Sequence, residues 1–253
     1  MLTAALWGLI QGLTEFLPIS SSGHLVLVPA LLGMDEPDLA TTAVLHLGTL
    51  AAVVWFYRRD LMNLVHFRTD PGARRILWLL VLGTLPAAII GVLFHTKIEI
   101  LFSDPWIVAV LLIGTGVILS AGLLVPRGTR RVEEGRTGDA LVVGWAQALA
   151  LLPGISRSGM TMTAAMAQGF ERVEAARFAF LMAVPAIAGA GTLEGIDLVR
   201  SGGFEPALLA GVLTAAVSGY LAISFLVRLL GRAGLAPFAI YCLVVGSLAW
   251  WLV

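Results

Sequence analysis

The sequence predicts an all-α integral membrane protein with six transmembrane helices and two re-entrant helical hairpins in an inverted-topology repeat. Three observations support this prediction. Hydrophobic residues make up 58% of the 253-residue chain and charged residues only 13%, about half the charged share of a soluble domain. Several long stretches carry no charge at all. Two polar, helix-breaking stretches recur at a fixed spacing.

Composition also excludes several classes of protein. The formal net charge is +0, so no basic field favours nucleic acid as a partner. Cys242 is the only cysteine, which excludes an internal disulfide and a cysteine-based metal cluster. The bilayer is therefore the expected environment and the first expected partner.

Stretches free of Asp, Glu, Lys and Arg locate the spanning helices. A spanning helix needs about 20 predominantly apolar residues. Five stretches meet this length, and a sixth, 178–193, meets it by borrowing a flanking turn. The six predicted spans lie in 39–57, 76–96, 105–126, 178–193, 206–227 and 233–253.

Two further stretches contain helix breakers and are predicted as hairpins. Residues 1–33 contain Pro18 and three consecutive serines, and residues 140–169 contain Pro153-Gly154 close to Arg157. Irregular backbone at membrane depth is tolerated only where it is buried in protein or lines a cavity. We therefore expect two re-entrant helix–loop–helix hairpins.

A shift of 136 residues relates the two hairpins. Residues 11–13, Gln-Gly-Leu, fall on 147–149, Gln-Ala-Leu. Residues 19–23, Ile-Ser-Ser-Ser-Gly, fall on 155–159, Ile-Ser-Arg-Ser-Gly. Each half then supplies one hairpin and three spans. Three spans cross the membrane an odd number of times, so the second half must be inverted relative to the first, as in inverted-repeat transporters.

The single membrane domain 1–253 thus divides into a first repeat, 1–125, and a second, 137–253. With the N-terminus outside, the outside loops hold only Lys97 and Arg200, and Arg157 lies in the second hairpin. The positive-inside rule therefore favours both termini on the outer, periplasmic side. The thirteen basic residues of the inside loops are Arg58, Arg59, Arg68, Arg74, Arg75, Arg127, Arg130, Arg131, Arg136, Arg172, Arg177, Arg228 and Arg232.

The first hairpin places a carboxylate in an apolar setting. Glu15 lies four residues after Gln11, on the same helix face. An ionisable side chain at membrane depth is costly and marks a functional site by default. The alternative is a purely structural pair with Arg157, although buried ion pairs are weak sources of stability.

Polar residues follow Glu15 at the tip. Ser20, Ser21 and Ser22 precede a helix that carries His24 in its first turn. Serines at this position cap a helix, and the same helix start presents N–H groups to an anion. The grouping favours a functional His24, whereas His46 lies on a plain apolar span and is predicted to be a packing residue.

The second tip carries the arginine. Ser156, Arg157, Ser158 and Thr161 follow Pro153-Gly154. The arginine fork matches phosphate oxygens in bidentate fashion, and the hydroxyls add donors at the same helix start. The alternative is helix capping with a counter-ion for Glu15. The combination predicts a phosphate clamp more specifically than any single residue does.

Together the tips supply the groups that phosphoryl transfer needs, namely positive charge, a carboxylate, an imidazole and hydroxyls. The sequence lacks the carboxylate cluster of a two-metal site. It therefore predicts at most one divalent cation, Mg²⁺ or Ca²⁺, carried by the phosphates of the substrate and contacted by Glu15.

Three motifs resemble those of a known family, the undecaprenyl-diphosphate phosphatases associated with bacitracin resistance. Residues 11–15 resemble its (Glu/Gln)-x-x-x-Glu motif, residues 20–24 match its Ser-Ser-x-Gly-His run, and residues 153–161 resemble its Pro-Gly-x-Ser-Arg-Ser-x-x-Thr motif. Length, repeat and motif order agree along the whole chain. Gln11 is the less acidic option of the first motif and leaves one carboxylate instead of two.

The resemblance implies a multi-pass enzyme of the bacterial inner (plasma) membrane. It would hydrolyse undecaprenyl diphosphate to the monophosphate, recycling the lipid carrier for peptidoglycan synthesis, with a divalent cation and an active site open to the outer face. Taken with the tips, it assigns catalysis to Glu15, Ser21, His24 and Arg157, with Glu15 as the metal contact. It assigns substrate binding to Gln11, Ser20, Ser22, Ser156, Ser158 and Thr161.

Several alternatives remain open from sequence. Ser21 and His24 compete as nucleophile, and we favour Ser21 with His24 as acid–base. A transporter or flippase for a polyprenyl phosphate lipid is the second functional hypothesis, because opposed broken helices are also transporter architecture. A structural assembly protein is the third, and it leaves Glu15 and Arg157 unexplained. A homodimer is a further partner hypothesis.

Overall fold

The computed structural model describes residues 1–35, 37, 39–200 and 206–253. These residues form eleven α-helices, a 3₁₀ turn at Val132–Glu134, and an isolated bridge between Arg130 and Phe170. The helices are α1 (Leu2–Phe16), α2 (Ser21–Leu32), α3 (Leu39–Phe56), α4 (Arg58–Leu64), α5 (Pro71–Phe102), α6 (Pro105–Leu123), α7 (Thr137–Leu149), α8 (Arg157–Ala167), α9 (Arg172–Arg200), α10 (Leu208–Arg232) and α11 (Ala236–Leu252).

Each of the six predicted spans falls on a helix: α3, α5, α6, α9, α10 or α11. Three of them, α5, α6 and α10, are long and apolar enough to cross a membrane by themselves. Shorter apolar helices include α11 and the segment Thr41–Phe56 of α3. An all-helical chain of this composition is a multi-pass membrane protein.

The structure adds a short helix, α4, where the sequence predicts only an inside loop. Its Asp60 accepts hydrogen bonds from Arg177 of α9, with 2.7 Å between Nε and Oδ1. Arg177 also pairs with Glu133 at 2.9 Å and Glu174 at 3.1 Å. This network joins α4, the 3₁₀ turn and α9, and it orders a segment whose charge pattern alone does not predict a helix.

The two predicted hairpins are α1–α2 and α7–α8. Pro18 lies in the first turn, and Gly154, with φ of 96°, lies in the second, where a side chain would be strained. In each hairpin a serine hydroxyl then caps the second helix. Ser20 Oγ accepts from the Gly23 N–H and Ser156 Oγ from the Gly159 N–H, both at 3.2 Å.

Glycines allow the first helix of each hairpin to pack closely on a long helix. A Cβ at Gly8 of α1 would lie 2.1 Å from the carbonyl oxygen of Gly211 of α10. A Cβ at Gly144 of α7 would lie 2.6 Å from that of Gly83 of α5. No side chain fits at such distances, so these contacts hold both hairpins against the helices around them.

Candidate active site at the hairpin tips

The tips of the two hairpins meet through backbone and serine contacts. The Gly154 N–H donates to Ser22 Oγ at 3.4 Å. In return, Ser158 Oγ donates to the Leu17 carbonyl at 3.2 Å. Ser22 and Ser158 are 136 positions apart, and each contacts the backbone of the opposite tip, one as acceptor and the other as donor.

Small residues bring the backbones together at the same place. A Cβ at Gly23 would lie 3.4 Å from Gly154 Cα, and a Cβ at Gly159 would lie 3.3 Å from Pro18 Cβ. These two contacts also exchange under a shift of 136 residues. The tips are therefore in van der Waals contact, and residues distant in sequence share one site.

Glu15 lies at the centre of this site. Its Oε1 accepts a hydrogen bond from the Arg157 guanidinium, which joins the two hairpins. Its Oε2 accepts from Gln11 Nε2 at 3.0 Å and from Ser21 Oγ at 2.5 Å. The structure thus brings three other predicted site residues to the buried carboxylate of Glu15.

A cavity of about 280 Å³ opens beside Glu15. This volume is at the small end for ligand pockets, so it suits a headgroup better than a whole lipid. Eight of its seventeen lining residues are polar, and the others are apolar residues or glycine from the surrounding helices. The polar lining residues are Glu15, Ser20, Ser21, Ser22, His46, Gln147, Ser156 and Arg157.

Thr115 of α6 holds the second tip in shape, a role that sequence analysis did not identify. Its hydroxyl donates to the Gly154 carbonyl at 2.8 Å and accepts from the Ser156 N–H at 3.0 Å. The side chain is 1% exposed. Thr115 therefore bridges the turn that precedes Arg157.

Three predicted substrate-binding residues, Gln11, Ser158 and Thr161, do not line the cavity. Gln11 Nε2 donates to Glu15 instead. Thr161 Oγ1 donates to the Arg157 carbonyl at 2.8 Å, one turn back in α8. The Ser158 hydroxyl donates to the Leu17 carbonyl and shares a further hydrogen bond with the Ser156 hydroxyl. Thr161 and Ser158 support the tip, so in this conformation neither offers a hydrogen to a ligand.

The two histidines occupy places opposite to those that the sequence suggests. His24 is buried, with Nδ1 2.8 Å from the Ser20 carbonyl and Nε2 2.7 Å from the Tyr241 hydroxyl. The structure does not bring it to Ser21. His46, predicted to be a packing residue, lines the cavity with Nε2 3.7 Å from Glu15 Oε2. That prediction is wrong, because hydropathy does not show which face of α3 meets the tips.

The residues of the site do not fit a divalent cation held by the protein alone. Within the described ranges, no three His, Cys, Asp or Glu side chains are grouped for a metal ion. Both oxygens of Glu15 already accept hydrogen bonds. A carboxylate oxygen has two acceptor positions, so Glu15 retains room for one contact to a cation that a ligand carries.

Comparison with known proteins agrees with the motifs. Residues 4–248 match the family model described as bacitracin resistance protein BacA. The chain is 43% identical to an undecaprenyl-diphosphatase of Pelobacter propionicus, covering 98% of this chain and 95% of the relative. It is 44% identical to an undecaprenyl-diphosphatase of Moorella thermoacetica over 98% and 96%, and 43% identical to undecaprenyl-diphosphatase 2 of Stutzerimonas stutzeri over 94% and 93%.

Proposed function

Because the chain belongs to the bacitracin resistance protein BacA family, we propose that it hydrolyses undecaprenyl diphosphate to undecaprenyl phosphate and inorganic phosphate. The product is the lipid carrier that bacterial cell-wall synthesis reuses. One observation carries the proposal from geometry: a hydroxyl, a carboxylate and a guanidinium from two hairpins converge on one small cavity. These are the functional groups that a phosphoryl-transfer site needs.

Arg157 and the start of α8 bind the diphosphate in this proposal. A guanidinium has five N–H donors, so the contact with Glu15 leaves others for phosphate oxygens. The first N–H groups of an eleven-residue helix point the same way and add the favourable end of its dipole. The apolar walls of the cavity and the helix surfaces outside it accommodate the prenyl chain.

Ser21 is the proposed nucleophile. Its Oγ donates to Glu15 Oε2 at 2.5 Å, so the carboxylate takes the proton as Oγ attacks the terminal phosphorus. The new Ser21 O–P bond forms as the bridging P–O bond breaks, and undecaprenyl phosphate leaves. Water then attacks the phosphorus and the Ser21 O–P bond breaks. Ser21 Oγ takes back the proton that Glu15 holds, the carboxylate accepts a proton from the attacking water and passes it to solvent, and inorganic phosphate is released. His46 faces the same carboxylate and supports its orientation.

The proposed divalent cation, Mg²⁺ or Ca²⁺, is part of the substrate and contacts the protein at Glu15. We expect Glu15→Gln to lose most activity and to raise the cation concentration needed for the remainder, because the amide removes the only carboxylate among the described residues that line the cavity. Glu99→Gln on α5, where the carboxylate pairs with His95, is the matched control. A cation titration of Glu15→Gln with the parental midpoint would show that Glu15 makes no metal contact.

The proposed placement is the bacterial inner membrane, with six spans, two inverted repeats, both termini outside and the site open to the outer face. The asymmetry of basic residues supports this orientation. A membrane-impermeant thiol reagent applied to intact cells should label Met34→Cys and spare Gly72→Cys and Gly138→Cys, each in a Cys242→Ala background. The reverse labelling pattern would overturn the topology.

Phosphate release by protein purified in detergent tests the proposed activity. Hydrolysis needs no sealed membrane, whereas lipid transport does. We expect one phosphate per undecaprenyl diphosphate consumed, with the monophosphate as the lipid product. If the pure protein releases no phosphate but moves a polyprenyl phosphate across vesicles, a flippase replaces the hydrolase.

A further inference from the structure

Ser20 has a strained backbone directly before the proposed nucleophile. Its φ of 68° and ψ of 99° make it the one non-glycine residue with positive φ in the described part of the chain. Such conformations are sparsely populated by residues with a Cβ, and they persist only where surrounding contacts enforce them. Ser21 follows this residue directly and opens α2.

The second hairpin shows that capping alone does not require this strain. Ser156 takes the place of Ser20, and its hydroxyl caps α8 with the same 3.2 Å bond to the N–H three residues on. Each serine also shares a 3.2 Å bond with the serine two residues later. Yet Ser156 has an ordinary φ of −75° and ψ of 117°. One difference between the two tips is the residue four positions on, which is His24 in the first hairpin and Met160 in the second.

His24 ties the strained residue to α11. A carbonyl oxygen can only accept, so Nδ1 carries the hydrogen that it donates to Ser20 at 2.8 Å. In the neutral ring Nε2 then accepts from the Tyr241 hydroxyl at 2.7 Å. The two rings are stacked, 5.7 Å apart and inclined by 15°. Both ring nitrogens are therefore engaged away from the cavity.

We propose that Tyr241 and His24 are positioning residues that hold the Ser20 peptide so that Ser21 Oγ rests on Glu15 Oε2. Tyr241 fixes the ring orientation, the ring fixes the Ser20 carbonyl, and the next residue is thereby turned towards the carboxylate at 2.5 Å. This inference rests on the proposed hydrolase and deepens it. It gives His24 a role different from acid–base catalysis, and it gives Tyr241 a role where the motifs give none.

Tyr241→Phe tests the relay because it removes one oxygen and leaves the packing. We expect kcat for phosphate release to fall about tenfold, since small misplacements of a reacting group are costly, with KM within about twofold of the parent. Tyr220→Phe on α10, whose ring packs against Phe56, is the matched control and should keep parental kcat and KM. Parental kcat in Tyr241→Phe would overturn the relay.

His24 variants separate positioning from acid–base catalysis. The side-chain amide of Asn reaches the position of Nδ1, so His24→Asn can still donate to the Ser20 carbonyl. We expect kcat of His24→Ala to be roughly 100-fold below that of the parent. We expect kcat of His24→Asn to be at least about tenfold higher than that of His24→Ala. If Asn is as inactive as Ala while Tyr241→Phe has parental kcat, His24 acts as acid–base. Failure of the hydrolase proposal itself would appear in the parent, which would release no phosphate.

Discussion

Arg157→Ala should lower kcat/KM by at least about 1000-fold while the protein still inserts and remains folded. The substitution removes the cation that both tips share, and with it the charge-assisted donors to the diphosphate. It also leaves Glu15, which is buried and contacts this guanidinium, without a compensating charge. The loss exceeds that of an ordinary binding residue because one side chain serves both phosphate and carboxylate.

Arg157→Lys tests the geometry of the clamp separately from its charge. An ammonium supplies the charge but not the planar fork, so it cannot hold Glu15 Oε1 and phosphate oxygens in fixed directions at once. We expect less than about a tenth of parental kcat/KM. Full activity in the lysine variant would contradict a bidentate clamp and leave only a requirement for positive charge.

Ser21→Ala should lower kcat by at least about 10⁴-fold, as removal of a nucleophile does in enzymes that form covalent intermediates. The helix start should survive, because Ser20 and not Ser21 caps α2. Ser224→Ala is the matched control: its hydroxyl donates to the Tyr220 carbonyl within α10, and activity should be parental. Both variants are compared by single-turnover phosphate release.

A Ser21→Ala enzyme with more than about a tenth of parental kcat would exclude Ser21 as the nucleophile. Attack by water, activated directly by Glu15, would then account for the reaction. His24 would not replace Ser21 in this geometry, because Nδ1 faces the Ser20 carbonyl and Nε2 faces Tyr241.

Sequence predicted the helices and the site's centre because both depend on local composition. Charge-free apolar stretches of about 20 residues are typical of membrane-spanning helices. A carboxylate and an arginine beside helix breakers pair because few other charges are available in so apolar a setting. From sequence, the pair between Glu15 and Arg157 was only the structural alternative to a functional site, and the structure shows that the pair forms.

The orientation of side chains about each helix axis was not predictable in the same way. His46 and His24 are both imidazoles on apolar helices, yet only His46 lines the cavity. Which face meets the tips depends on packing between α2, α3 and α11, and hydropathy does not encode it when every face is apolar. Thr115 and Tyr241 were missed for the same reason. A polar residue in an uncharged span indicates that the residue has a function or a buried partner. It does not show which residue that partner is.

A double-variant cycle between Glu15 and Arg157 tests most directly whether the two hairpin tips form one catalytic unit. Phosphate release is measured for Glu15→Gln, Arg157→Ala and the combination. Residues that act as a unit show strongly non-additive losses, so the double variant should be no slower than the slower single variant. If the two losses instead multiply, the tips contribute independently, and the account of a single site built across both hairpins is contradicted.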